Sequence, residues 1–360
     1  MSHRLQIGFV FIILYIGLNH TIYPDLIFQL TNTGHWEVVL CQGLLQLTLI
    51  WIYIKGLSYF PGQDVIDIYL KAGKLIAFII LIPFVISLTA LIAYDIRLHT
   101  EVIISVFLSR TPYWPVLVLL FFITTYIALN GLGTILRSSV FIFLIVIPLM
   151  LFVILSSLIN FDWHNATPVW HSSFDFLMEK KFFYLMGFAA FLPLGFMAYK
   201  TKLTFGFIFL AWVCVMISFL SVVYIPLFIF GQEAVMTLPF SMIRAISSVD
   251  IRWFIFNQQT IFLALSLIGF TVILNAVLLW MIGRIMHKML KWKKVKTSYW
   301  IIVFSIIAFI FALFVPSRSW TDKWFLWSAG AQVYFMIVIP FSTLICGFVM
   351  KRGRVSYEKG

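Results

Sequence analysis

The chain has 360 residues, is 62% hydrophobic and only 11% charged, and has a mean hydropathy of +1.05. An average soluble domain is about 25% charged, so the composition excludes an ordinary soluble core and predicts an all-α polytopic membrane protein. The net charge of +12 sits in the gaps between apolar runs, a topology signal rather than a nucleic-acid-binding patch.

Ten transmembrane spans are predicted, at 5–30, 37–55, 73–95, 114–130, 138–159, 180–200, 204–230, 253–283, 298–315 and 329–350. The first run is too long for a removable signal peptide and lacks a small-residue cleavage site, so it is read as retained. It is interrupted by Gly17-Leu18-Asn19-His20-Thr21-Ile22-Tyr23-Pro24. At 1.5 Å rise per residue, Asn19 lies roughly 20 Å into the run, near the middle of a bilayer core about 30 Å thick. Backbone that leaves a helix at that depth must be buried in protein or line a cavity.

Between spans two and three, 61–74 reads as a short surface helix with Asp67 and Lys71 one turn apart. A second short helix is expected over 99–109, stopped by Arg110-Thr111-Pro112. The longest connection, 160–179, contains Asp162, Trp163, His164, Trp170 and His171. It reads as a solvated loop with interfacial tryptophans rather than a metal site. Cys41, Cys214 and Cys346 lie inside apolar runs without metal-like spacing and read as inert core residues.

With the N-terminus inside, the inner segments carry about twice as many Lys and Arg as the outer ones, which orients both termini to the cytoplasm. The inner cluster 288–296 reads as orientation bias, with anionic lipid or an acidic partner as the alternative. If two five-span units are inverted repeats, about 5–159 and 174–350 of a single transmembrane domain over 1–360, span six corresponds to span one. Span six is also irregular, at Gly187-Phe188-Ala189-Ala190-Phe191-Leu192-Pro193-Leu194-Gly195. Matching interruptions in corresponding spans point to a transporter-type site.

Several stretches together resemble one family, the spore germination receptor B subunits (GerAB-type permeases) of the amino acid–polyamine–organocation transporter superfamily. These are the surface segment ending in Gly73-Lys74; Phe107-Leu108-Ser109-Arg110-Thr111-Pro112; the Gly131-to-Arg137 connection; Gly231-Gln232-Glu233-Ala234 followed by Pro239; Val315-Pro316-Ser317; Ile339-Pro340; and Lys351-Arg352. The resemblance implies a LeuT-like fold with helices one and six broken. It also implies a nutrient-sensing subunit without enzymatic activity in the spore inner membrane, working with an A-type and a C-type receptor subunit. Two departures fall where a ligand would bind. Asn19 replaces the second glycine of the first break, and Asn257-Gln258-Gln259 stands where the family carries an Arg and an acid.

The candidate pocket for an amino acid or similar nutrient is drawn from four spans. Gly17, Asn19 and His20 come from the first. Ser87 and Thr89 come from the third, where a hydroxyl can bond either a neighbour or its own i−4 carbonyl. Gly187 and Ala190 come from the sixth, where small residues also permit close packing, and Asn257 and Gln259 from the eighth, where amides also join helices. No cofactor, metal or catalytic constellation is expected. An amino-acid secondary transporter and a divergent structural subunit without ligand binding remain the alternatives. His20 is the only deep titratable candidate for proton coupling.

Overall fold

The computed structural model describes residues 3–108, 110–170, 174–197, 204–249, 260–292, 294–315 and 318–357. Helix α1 (His3–Asn19) and α2 (Tyr23–Leu30) form the first span, bent by 59° at the three residues between them. Pro24 falls in the first turn of α2, where its missing N–H costs nothing. Helix α3 (His35–Ser58) is the second span, and α4 (Val65–Ala72) is the expected surface helix. The Asp64 carboxylate caps α4 by accepting from the Asp67 amide at 2.9 Å.

Helix α5 (Lys74–Val106) corrects the expectation of a separate helix over 99–109, because it runs without interruption through His99. The polar run that reads as a connection is satisfied inside the protein. Arg97 donates to Glu101 at 2.8 Å and to the Ala312 carbonyl at 3.3 Å, and lies over the Tyr113 ring. Asp95 and His99 pair one turn apart.

Helices α6 (Tyr113–Leu129) and α7 (Leu132–Ser157) follow. Their outward faces carry Phe122, Phe141, Leu144 and Leu155 exposed on the bundle, as lipid contact requires. The connection after α7 is tethered rather than free. Asn165 donates to the Phe228 carbonyl at 2.9 Å, and Trp36 donates to that of Val169 at 3.1 Å. His171 lies outside the described residues.

Span six is the short helix α8 (Lys180–Leu185), a 3-10 turn at Met186–Phe188, a non-helical stretch over 189–191, and a second 3-10 turn at Leu192–Gly195. Helix α9 (Phe205–Phe230) is span seven; α10 (Gln232–Val235) and α11 (Ser241–Ser247) lie in the connection that follows it. Span eight is described from α12 (Thr260–Leu290), and α13 (Thr297–Leu313) and α14 (Arg318–Tyr357) complete the bundle. Among the described residues, six long apolar helices, one bent pair, two shorter apolar helices and the irregular sixth segment account for the ten spans. The three cysteines are free, but Cys214 is exposed on α9 rather than placed in the core.

Helices α3 and α14 touch backbone to backbone at Gly56. A Cβ there would lie 2.9 Å from the Leu344 nitrogen and 3.1 Å from its Cα. Neither atom can swing away. Gly56→Ala is therefore expected to cost about 1–3 kcal/mol through overpacking. The thermal midpoint of the purified protein checks this, with Gly206→Ala as control, since a Cβ at Gly206 meets nothing within 4 Å.

Candidate functional site

The break in the first span is closed by its own side chains. Once α1 ends, its last carbonyls have no helical donors. His20 supplies one: its Nδ1 faces the Ile16 carbonyl at 3.2 Å and Asn19 Oδ1 at 2.5 Å. Both are acceptors, so Nδ1 carries the ring hydrogen. Thr21 Oγ1 then meets His99 Nε2 at 3.3 Å, while His99 Nδ1 donates to the Asp95 carbonyl at 2.8 Å. The Asp95 carboxylate accepts from Asn275 Nδ2 at 2.6 Å, and Asn275 also donates to the Thr271 carbonyl at 2.8 Å. A buried polar chain thus runs from the break, through α5, to α12. Asn19 Nδ2, Asn275 Oδ1 and Thr271 Oγ1 have no hydrogen-bond partner within it.

The sixth segment is held from α3. Gln42 Nε2 donates to the Phe182 carbonyl at 2.8 Å, and Gln42 Oε1 accepts from Tyr23 at 3.1 Å. One amide therefore joins α2, α3 and α8. Further along, the Tyr53 hydroxyl donates to the Leu192 carbonyl at 3.1 Å. Gly195 leaves room for that phenol, since a Cβ there would also lie 2.7 Å from Val65 Cγ2.

Between the two breaks is a hollow of about 20 Å³, lined by Leu18, Phe84, Ala190, Pro193, Leu274 and Gln332 among others. That is room for one water, so the described residues close tightly around this hollow. Among the described residues, Gln332 brings the only side-chain amide to this lining. Its Nε2 donates to Ser87 Oγ at 3.1 Å.

The expected pocket residues fall into separate groups. Ala190 lines the hollow, and Ser87 is one hydrogen bond behind it. Asn19 and His20 bond each other at the end of α1, next to Thr21, where the polar chain begins. Thr89 bonds its own i−4 carbonyl, that of Val85, at 2.8 Å. Gly17 and Gly187 admit neighbours: a Cβ at Gly17 would be 3.3 Å from the Phe270 carbonyl, and one at Gly187 3.1 Å from Ala329 Cβ. Asn257 and Gln259 lie outside the described residues.

The sequence model of a family described as "Spore germination protein" matches residues 3–320. The chain belongs to the spore germination permease family. The spore germination protein YndE of Bacillus subtilis (strain 168) is 29% identical over 143 residues, 39% of each chain. YfkT of the same organism is 24% identical over 183 residues, half of each chain. The chain thus aligns with at most about half the length of these curated relatives. The crystal structure of MhsT in complex with L-phenylalanine matches with a TM-score of 0.57 at 14% identity, covering 95% of this chain and 97% of that one. At that identity the likeness shows the fold, a LeuT-like transporter fold.

In this spore germination family member, sequence reasoning missed Gln332, Asn275, Asp95 and His99. Gln332 and Asn275 are lone amides in apolar runs, and Asp95 and His99 stand four residues apart, the spacing of one helix face. At one end of the bundle, Asp25 ties α2 to α11. Its carboxylate accepts from the Phe240 amide at 2.7 Å, the Ser241 amide at 3.0 Å and the Ser241 hydroxyl at 2.6 Å. Asp25→Ala is expected to cost about 1–2 kcal/mol and to free the connection that contains α11. Faster deuterium exchange over 240–247, with the bundle core unchanged, is the outcome to look for.

Proposed function

We propose that the chain is the nutrient-sensing membrane subunit of a spore germination receptor. An amino acid or similar small molecule binds at the midplane, between the breaks of spans one and six. The observation that carries this reading is the shared hollow, where Leu18 of the first break meets Ala190 and Pro193 of the second. Its lining is apolar apart from Gln332, which suits a guest with an apolar side chain. The peptide groups freed at a helix break suit a charged end. With room for one water only, the hollow must widen to admit a nutrient. A ligand that binds the widened form better shifts the population toward it, and neighbouring subunits can read that shift. The L-phenylalanine in the MhsT complex lends support to an amino acid as the class of ligand.

The receptor reading places A-type and C-type subunits beside the chain, in the spore inner membrane, with both termini cytoplasmic. It also takes 5–159 and 174–350 as inverted repeats of one domain, which the corresponding positions of the two breaks favour.

A working amino-acid carrier is the second reading. Asp95 and His99, joined to the first break through Thr21, favour it, because proton-coupled carriers use titratable groups within the membrane. Two measurements on the purified chain separate the readings. Thermal stabilisation by one or a few of the common amino acids, without uptake into liposomes, is expected of a sensor. Sustained uptake driven by a proton gradient would replace the sensor with the carrier, and no response to any nutrient would defeat both.

A further inference from the structure

At the end of the bundle opposite Asp25, the surface helix α4 is latched to the last turns of α12. Asp64 pairs with Arg284 and with Lys288 Nζ at 2.7 Å, and Lys288 also reaches Asp67 at 2.7 Å. Burial of Asp67 opposes its charge, but the Lys288 hydrogen bond and charge prevail, so its carboxyl lies below the usual carboxylate range. The latch therefore consumes two carboxylates and two cations and leaves no charge over. Beside it opens a cleft of about 860 Å³, whose walls include Leu70, Lys71, His287, Lys291 and Trp292. Lys71 and Lys291, both exposed, give it an unbalanced positive charge. A second cleft, about 530 Å³, shares Gln63 and Lys71 with the first and adds Lys351.

Two features argue that the first cleft is built rather than incidental. Lys291 takes a left-handed backbone, φ 47°, at the position after α12 where glycine is the usual residue. A lysine stands there against its backbone preference, and an observed outlier of that kind points to a role for its side chain. Trp292 is exposed and packs on Trp300, in the first turn of α13, with ring centroids 5.5 Å apart. Indoles of this kind mark the membrane–water boundary, so the cleft opens at headgroup level.

We propose that this cleft seats the phosphate of an anionic phospholipid, with Lys71 and Lys291 on the phosphate and Leu70 and Trp292 toward the acyl chains. The charge and the indole act together: a soluble anion would use only the lysines, whereas a phospholipid uses both. The seat borders Lys288, so an occupied cleft bears on the latch between α4 and α12.

The test uses the full chain in detergent, with bound phosphatidylglycerol and phosphatidylcholine compared by native mass spectrometry. Phosphatidylglycerol is expected to be retained over phosphatidylcholine. Lys71→Gln with Lys291→Gly is expected to weaken that retention roughly 30-fold, about 5-fold for each lysine. Glycine suits the left-handed position, so the lipid-free variant should melt no lower than the native chain. Phosphatidylglycerol retention unchanged in the variant would overturn the proposal. So would displacement of the lipid by inorganic phosphate at equal concentration, which marks a plain anion site. Loss of receptor assembly in the variant, with lipid retention intact, would instead assign the lysines to an acidic partner. If the double variant fails to fold, the native chain still decides: brominated phosphatidylglycerol, and not brominated phosphatidylcholine, must quench the emission that Trp292→Phe removes.

Discussion

Asn275→Leu is expected to destabilise the folded bundle by about 3 kcal/mol, the largest effect of any single change considered. Asn275 Nδ2 donates to Asp95 at 2.6 Å, and both residues are buried. Leucine fills similar space but donates nothing, so the Asp95 carboxyl loses its interhelical partner and keeps only His99, with Oδ1 at 3.4 Å from Nδ1. Removing one member of a buried polar pair costs more than the pair contributes, because the other member stays desolvated. The same logic fixes the control. Asp95→Leu together with Asn275→Leu removes both groups and is expected to recover most of the loss, a coupling read from the double-mutant cycle. Thermal midpoints of the four proteins in one detergent check it. If the double variant were as unstable as the sum of the singles, the α5–α12 contact would be ordinary packing.

The two breaks were legible because each punctuates an apolar run with residues helices disfavour. Gly17 and Pro24 bracket the first, with Asn19, His20 and Thr21 between them; Gly187, Pro193 and Gly195 mark the second. The ten spans were legible from the same contrast between apolar runs and polar gaps. That contrast also misled. Asp95, Arg97, His99 and Glu101 read as the end of span three, yet α5 continues past them. Their partners are distant in the chain: Asn275 for Asp95, Thr21 for His99 and the Ala312 carbonyl for Arg97. A local pattern cannot reveal a partner more than 70 residues away. The sequence suggested His20 as a residue of the pocket, and in the structure its Nδ1 bonds two local partners, the Ile16 carbonyl and Asn19 Oδ1. Gln332 was invisible because one amide in an apolar run carries no periodic signal. Only the fold brings it opposite Leu18 and Ala190.

Gln332→Leu is the second large effect expected, and it falls on binding rather than stability. The Gln332 side chain reaches the hollow from α14 and donates to Ser87 on α5. When the hollow widens around a nutrient, that amide is the one side chain among the described lining residues that can both donate to and accept from it. A hydrogen bond to a charged end of the guest contributes about 1.5–3 kcal/mol, so leucine should weaken nutrient-dependent stabilisation by roughly 10- to 100-fold. Leucine is close in size and apolar, and Ser87 can turn its hydroxyl to a carbonyl one turn earlier in α5, so the unliganded melting point should hardly move. Ala190→Leu is the matching steric variant. It adds three carbon atoms where there is about 20 Å³ of room, so it should abolish the response to every nutrient at a cost of about 1–3 kcal/mol to the closed bundle from overpacking. The pair separates recognition from access: Gln332→Leu should lower affinity with saturation still reachable, whereas Ala190→Leu should leave no saturation at any concentration. Nutrient response preserved in both variants would move the binding site away from the two breaks.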